Sequence, residues 1–156
     1  MSEFSINIAA NGVLTRSNPH DGALLGILLA PEANLSIYFR TADAKLYQMI
    51  VPAIARVRAD NILEGNIIFE ICLLEGQKCP SGLVEDLCCY TNEARSHRYP
   101  KNEALANTFI PNHLKKIARE KWTLITIGSS YGCELLALSR HPVEATSISE
   151  ISSTPV

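Results

Sequence analysis

The residues with the most chemical potential lie together at Gly128-Ser129-Ser130-Tyr131-Gly132, a G-x-S-x-G pattern centred on Ser130. Small flanking residues permit a strained turn between a strand and a helix, and such a turn lifts a serine hydroxyl to where a base can take its proton. Residues 123–127 have strand composition ahead of the turn, and residues 133–138 contain helix formers after it. The next imidazole along the chain is His141, 11 positions after Ser130. On one shared helix the two would stand about 16 Å apart along the axis, beyond proton-transfer reach.

The longer stretch 124–142, LITIGSSYGCELLALSRHP, resembles the elbow region of α/β hydrolases, including its Arg140-His141-Pro142 ending. The resemblance implies an acyl-transfer nucleophile at Ser130 and an oxyanion-hole donor in the backbone N–H of Tyr131. In that family the acid and the histidine follow the serine. The 26 residues after Ser130 offer Glu134, His141, Glu144 and Glu150 for those roles. A hydrolase or acyltransferase built on Ser130 would otherwise need a base drawn from His20, His97 or His113. A plain hairpin, in which 133–139 is a strand and GSSYG its loop, accounts for the same residues without chemistry.

Charge is placed unevenly. Arg95, Arg98, Lys101, Lys115, Lys116, Arg119 and Lys121 supply half of the 14 basic residues, so segment 95–121 carries +5 and the remainder -7. His97, Tyr99, His113 and Trp122 lie among these cations, a composition that grips phosphate-rich partners such as nucleic acid. The same cations also suit the solvated face of a helix that turns Leu114, Ile117 and Ala118 inward.

Cys79, Cys88, Cys89 and His97 are potential zinc ligands, but a C-x8-C-C-x7-H spacing lacks the short knuckles of structural zinc sites. Cys88 reads as a small core residue, and no metal is expected. His20 and Asp21 fall in a turn with Pro19 and Gly22. Dinucleotide, phosphate-loop, H-E-x-x-H and calcium-loop patterns do not occur, so no cofactor is expected either.

The elements that must position these groups follow from periodicity and turn chemistry. Alternation at Phe4-Ser5-Ile6-Asn7-Ile8, then Asn11-Gly12 and Val13-Leu14-Thr15, predicts a hairpin. Residues 23–30, 35–40, 67–74 and 123–127 are apolar and β-branched enough for further strands. Leu46, Ile50, Ile54 and Val57 recur at helical spacing, which predicts a helix kinked or split at Pro52. Two more helical stretches cover 83–94 and 103–121, the latter interrupted at Pro111. The pattern predicts an α+β fold: a mixed, mainly antiparallel sheet of five to seven strands with two to three helices chiefly on one face. Leu25, Ile27, Ile37, Phe39, Ile68, Ile71 and Leu124 are its expected core.

A chain of 156 residues with 47% hydrophobic and 19% charged residues fits one domain, expected over 1–144, followed by a flexible Ser/Thr-rich tail over 145–156. No apolar run nears the roughly 20 residues that span a bilayer. The five cysteines are too few and too odd in number for a disulfide scaffold, which points to a reducing, cytoplasmic setting. The net charge of -2 brings no global attraction to polyanions. The leading expectation is a small non-enzymatic domain that binds a protein partner or forms a homo-oligomer. Serine acyl chemistry at Ser130 and anion binding by segment 95–121 are the alternatives.

Overall fold

Pro52 marks where the helical spacing of Leu46, Ile50, Ile54 and Val57 gives way to a different structure. In the computed structural model, which describes residues 3–4, 6–15, 17–61, 65–89 and 103–151, those apolar positions belong to two strands. β4 (Leu46–Val51) ends just before Pro52, and β5 (Ile54–Asp60) starts just after Ala53. Tyr47, Met49 and Val51 are buried while Leu46, Gln48 and Ile50 are half-buried, so the period that wins is two. β-Branched Ile and Val fit either period poorly or well according to their neighbours, and here pairing on both edges of β4 overrides helical spacing.

The remaining strands are β1 (Glu3–Phe4), β2 (Ala23–Ala30), β3 (Asn34–Arg40), β6 (Ile67–Glu75), β7 (Thr123–Tyr131), β8 (Glu134–Ser139) and β9 (Ser147–Ile151). Every pairing among them is antiparallel, in the order β1-β9-β4-β3-β2-β6-β7-β8-β5. The architecture is thus α+β, and the described residues form a nine-stranded antiparallel sheet, larger than the mixed, mainly antiparallel sheet of five to seven strands expected. The added strands come from residues 46–60, whose spacing suggests a helix, and from the C-terminal segment. Residues 147–151, expected in the tail, form β9 between β1 and β4, with Ile148 fully buried. Short strands with polar alternate residues carry little apolar signal, because ladder bonds on both edges stabilise them. The predicted N-terminal hairpin is present around Asn11-Gly12 in a short form, with the Ile8↔Leu14 bridge and N–H bonds from Ala9 to the Val13 carbonyl (2.8 Å) and from Thr15 to the Asn7 carbonyl (3.0 Å), while Phe4 pairs with Ile148 instead.

The sheet coils upon itself. β4 and β5 stand third and ninth in the order, which in a flat sheet would put them about 29 Å apart at ~4.8 Å per strand. The Pro52-Ala53 link lets Val51 and Ile54 separate by no more than about 11 Å. The link is sealed by the Ser139 hydroxyl, which donates to the Pro52 carbonyl (2.6 Å), and by the Arg140 N–H, which donates to Ala53 (3.0 Å). Leu35, Ile37, Phe39, Met49, Ile68, Ile71, Ile125 and Ile148 fill the interior of the coil as one cluster.

A second cluster lies on the outer face of β6, β7 and β8, beneath α1 (Ser81–Cys89) and α2 (Glu103–Glu120). Val84 and Leu87 of α1 and Ile117 of α2 meet Trp122, Leu124, Leu136 and Leu138 there. β7 and β8 are therefore buried on both faces and read as continuous apolar runs. Each such fully buried Leu or Ile contributes about 1.5–3 kcal/mol. α2 runs through Pro111 without the expected interruption, the proline lying on its exposed side. The extension of the preceding helix to residue 94 lies outside the described residues. No helix among the described residues is long and apolar enough to cross a membrane.

β7 turns into β8 through Gly132, whose φ of 103° is left-handed space open to glycine. A Cβ there would stand 2.1 Å from Oδ1 of buried Asn66, the oxygen that accepts the Cys133 N–H (2.9 Å). Gly132→Ala is expected to lower stability by about 2 kcal/mol or more through strain and displacement of Asn66. A denaturant melt with an unchanged midpoint would contradict this account of the turn.

Candidate functional site

Ser130 sits on β7 itself, exposed, and the chain after it returns as β8 in register from Ile127↔Leu135 to Thr123↔Ser139. The strand–turn–helix implied by the hydrolase resemblance is therefore a strand–turn–strand hairpin. Its causes are the left-handed Gly132 and the distant Asn66, which together reverse the chain, and the burial of residues 135–139 on both faces. His141 follows β8 at the far end of the hairpin, where its carbonyl accepts the Thr123 hydroxyl (2.9 Å). Ser130 lies seven residues along β7 from Thr123, about 23 Å away. The fold separates the two predicted catalytic residues rather than joining them.

Of the other histidines, His113 packs on Trp122, also at the far end of the hairpin. His20 lies nearer. Its ring rests 5.3 Å from Phe69, and its Nδ1 is 3.0 Å from Asp21 Oδ2. The Asp21 N–H donates to Ile68, and Ile68 pairs with Ser129 across the next strand boundary, so two strand spacings, about 10 Å, intervene. Among the described residues no hydrogen bond joins Ser130 to an imidazole.

The described cysteine side chains are buried or half-buried. Cys79 is buried in the outer cluster, its thiol directed at the Leu74 carbonyl (3.0 Å), and burial pushes its pKa up to about 11. Burial likewise raises the thiols of Cys72 and Cys133. Cys88 borders the same cluster as Cys79, while His97 and the Cys89 side chain lie outside what is described. No group of three His, Cys, Asp or Glu among the described residues is placed to hold a metal.

Of the predicted basic patch, Arg95, Arg98 and Lys101 lie outside the described residues. Lys115, Lys116 and Arg119 occupy the exposed face of α2, and Lys121 follows it. They do not converge. Arg119 is paired with Glu120 (2.7 Å), whereas Lys116 Nζ stands 5.2 Å from the Trp122 ring. Lys116 instead joins Arg56 of β5 and Arg140 beyond β8 in a cleft of about 560 Å³, with His113, Glu120 and Trp122 as its other polar or aromatic walls. β5 and β8 bring the two arginines together through the pairs Ile54↔Ser139 and Arg56↔Leu138. Arg56 and Arg140 are far from each other and from Lys116 in sequence, so no local pattern could have found them.

Electrostatics in the cleft is one-sided. Glu120 is engaged on both oxygens, by Arg119 and by the Trp122 indole N–H (3.0 Å), and the Arg119 hydrogen bond foremost holds its carboxyl below the usual range. His113 is stacked on Phe109 (5.1 Å, 15°) and meets the edge of Trp122 (5.5 Å, 88°). Its Nε2 is buried, with no hydrogen-bond partner among the described residues. Burial foremost, then the charges of Arg56 and Lys116, lowers its pKa below the ordinary 6.5, leaving a neutral ring at pH 7.

A different surface is apolar. Leu25, Leu28, Leu29, Ile67, Phe69 and Tyr131 are exposed by 41–60%. Leu25, expected in the core, is turned out by the bulge between Leu24 and Gly26. Ala23↔Ile67 and Ile67↔Tyr131 are cross-strand neighbours, which places Leu25 and Phe69 two residues to either side of that row. Beyond Ala23 and Leu24, β2 leaves β6 and, among the described residues, is paired with β3 alone.

Comparison of the chain with protein-family models, with curated proteins and with solved structures returned no match.

The neutral state of His113 has a stability consequence. As pH falls below 6.5 the unfolded chain takes up the proton first, so stability declines toward the lower folded pKa. His113→Gln is expected to flatten that part of the stability–pH profile in urea melts, and NMR titration of wild-type protein is expected to place the His113 transition below 6.5. A normal or raised transition would contradict the burial seen at the ring.

Proposed function

We propose that this chain is a non-enzymatic assembly domain that pairs along β2 with a second copy of itself. The observation that carries the reading is an uncharged, half-paired strand: ALLGILLA, with Leu25, Leu28 and Leu29 each more than half exposed and residues 26–30 laddered only to β3. In an antiparallel ladder, alternate residues direct both backbone polar groups away from the partner, so this flank presents unused donors and acceptors beside apolar side chains. Edge strands that remain solitary are normally short, bulged away, covered or charged. β5, at the end of the sheet, follows that rule: it carries Arg56, Arg58 and Asp60, and Arg58 binds both Asp60 (2.7 Å) and the Asp86 carbonyl on α1 (3.2 Å). β2 has no charge over eight residues.

A second copy suits this flank because an antiparallel β2–β2 contact is its own complement about a two-fold axis, and no like charges meet across it. A strand of this length supplies less than the roughly 800 Å² per partner of a standard interface. Ile67, Phe69 and Tyr131 extend the apolar surface along the same side. The separation of Ser130 from His141 supports a role without acyl chemistry.

Size-exclusion chromatography with light scattering is expected to give twice the 17.1 kDa chain mass. Leu28→Asp, which sets an unpaired carboxylate twice across the axis, is expected to weaken association by at least about tenfold, or 1.4 kcal/mol, with an unchanged circular dichroism spectrum. A wild-type protein that stays monomeric up to its solubility limit would overturn the reading.

A further inference from the structure

We propose that the cleft between β5, the end of β8 and α2 is a binding site for a small dianion of the phosphate-monoester class. Arg56, Lys116 and Arg140 reach it from three separate elements, and none of them has a carboxylate partner among the described residues. The one acid in the lining, Glu120, is already held by Arg119 and by the indole N–H of Trp122. Folding therefore gathers three cations around a concavity with a single carboxylate, Glu120, which faces Lys116 and is shared with Arg119, so positive charge is in excess there. That arrangement is unfavourable by itself and is relieved by an anion.

The donor set selects the anion. Two guanidinium groups offer paired N–H donors that match the oxygens of a phosphate, and the ammonium of Lys116 adds a third point charge. Three cations favour a dianion over a carboxylate. The volume, about 560 Å³, lies within the range of small-molecule sites and leaves room beyond one phosphate group for the organic part of an ester. Trp122 and His113 form the apolar wall where that part would rest. His113, stacked on Phe109 and set edge-on to Trp122, braces the indole and leaves charge recognition to the three cations. The site is at the β5 end of the sheet and shares no residue with the β2 flank, so it stands or falls separately from self-association.

Trp122 is the single tryptophan of the chain and lines the cleft, so its fluorescence reports occupancy directly. At low ionic strength, titration with phenyl phosphate or inorganic phosphate is expected to give a saturable change, and acetate none. Arg56→Ala and Arg140→Ala, both at exposed positions, are each expected to weaken binding by about tenfold, and Leu28→Asp to leave it unchanged. Tighter binding of phenyl phosphate identifies an ester as the occupant, and equal binding identifies free phosphate. Indifference of Trp122 to both phosphates, equal response to acetate, or wild-type affinity in the Arg56→Ala/Arg140→Ala double variant would each overturn the proposal.

Discussion

Two residues, Pro52 and Ala53, join strands that stand third and ninth in a nine-stranded order. A link so short cannot cross a flat sheet, so the sheet must coil until β5 returns to the end of β4. The coil creates an inside, filled by residues from nearly every strand, and an outside on which two helices find an apolar platform. Proline suits the junction because it ends the ladder of β4 and pre-sets the bend. The Ser139 hydroxyl and the Arg140 N–H then tie β8 to the same two residues.

Other closures repeat this device. Thr123 donates to the His141 carbonyl, Asn66 accepts the Cys133 N–H, and Glu75 accepts the Val143 N–H. In each, one polar side chain satisfies a backbone group at a strand end, where the ladder stops and burial would otherwise leave it unpaired. Val143 also packs against the interior cluster, which pins the crossing from β8 to β9. The same coiling brings Arg56 and Arg140 to the helix bearing Lys116 and His113, so the charged cleft is a product of closure rather than of any one segment.

Strands rich in β-branched residues, such as β6 and β7, or alternating with aromatic ones, such as β3, are legible from residue type, since burial on one or both faces demands it. Ser81 lies at the start of α1, and Ile117 of α2 faces inward as its spacing requires. Less legible are β4 and β5, because four apolar residues at spacings of four, four and three also fit strands once Pro52 divides them. β9 is nearly silent in sequence: one buried Ile148 among polar neighbours becomes a strand only because β4 and β1 flank it. The G-x-S-x-G pattern is identical in an elbow and in a hairpin, and its meaning turns on whether the next residues find a helix or a returning strand.

Composition and periodicity by themselves determined that the chain would bury an extensive apolar interior, that strands would dominate it, and that Lys115, Lys116 and Arg119 would lie on the outward face of a helix. Those properties are local sums over side chains and survive any register. Which strand lies beside which was decided by the tertiary structure, and with it the separation of Ser130 from His141, the turning out of Leu25 and the meeting of Arg56, Lys116 and Arg140. The first two follow from which hairpin partner each strand finds and in what register, and the third from pairing between residues as far apart as Arg56 and Leu138, energies that exist only once the strands have met.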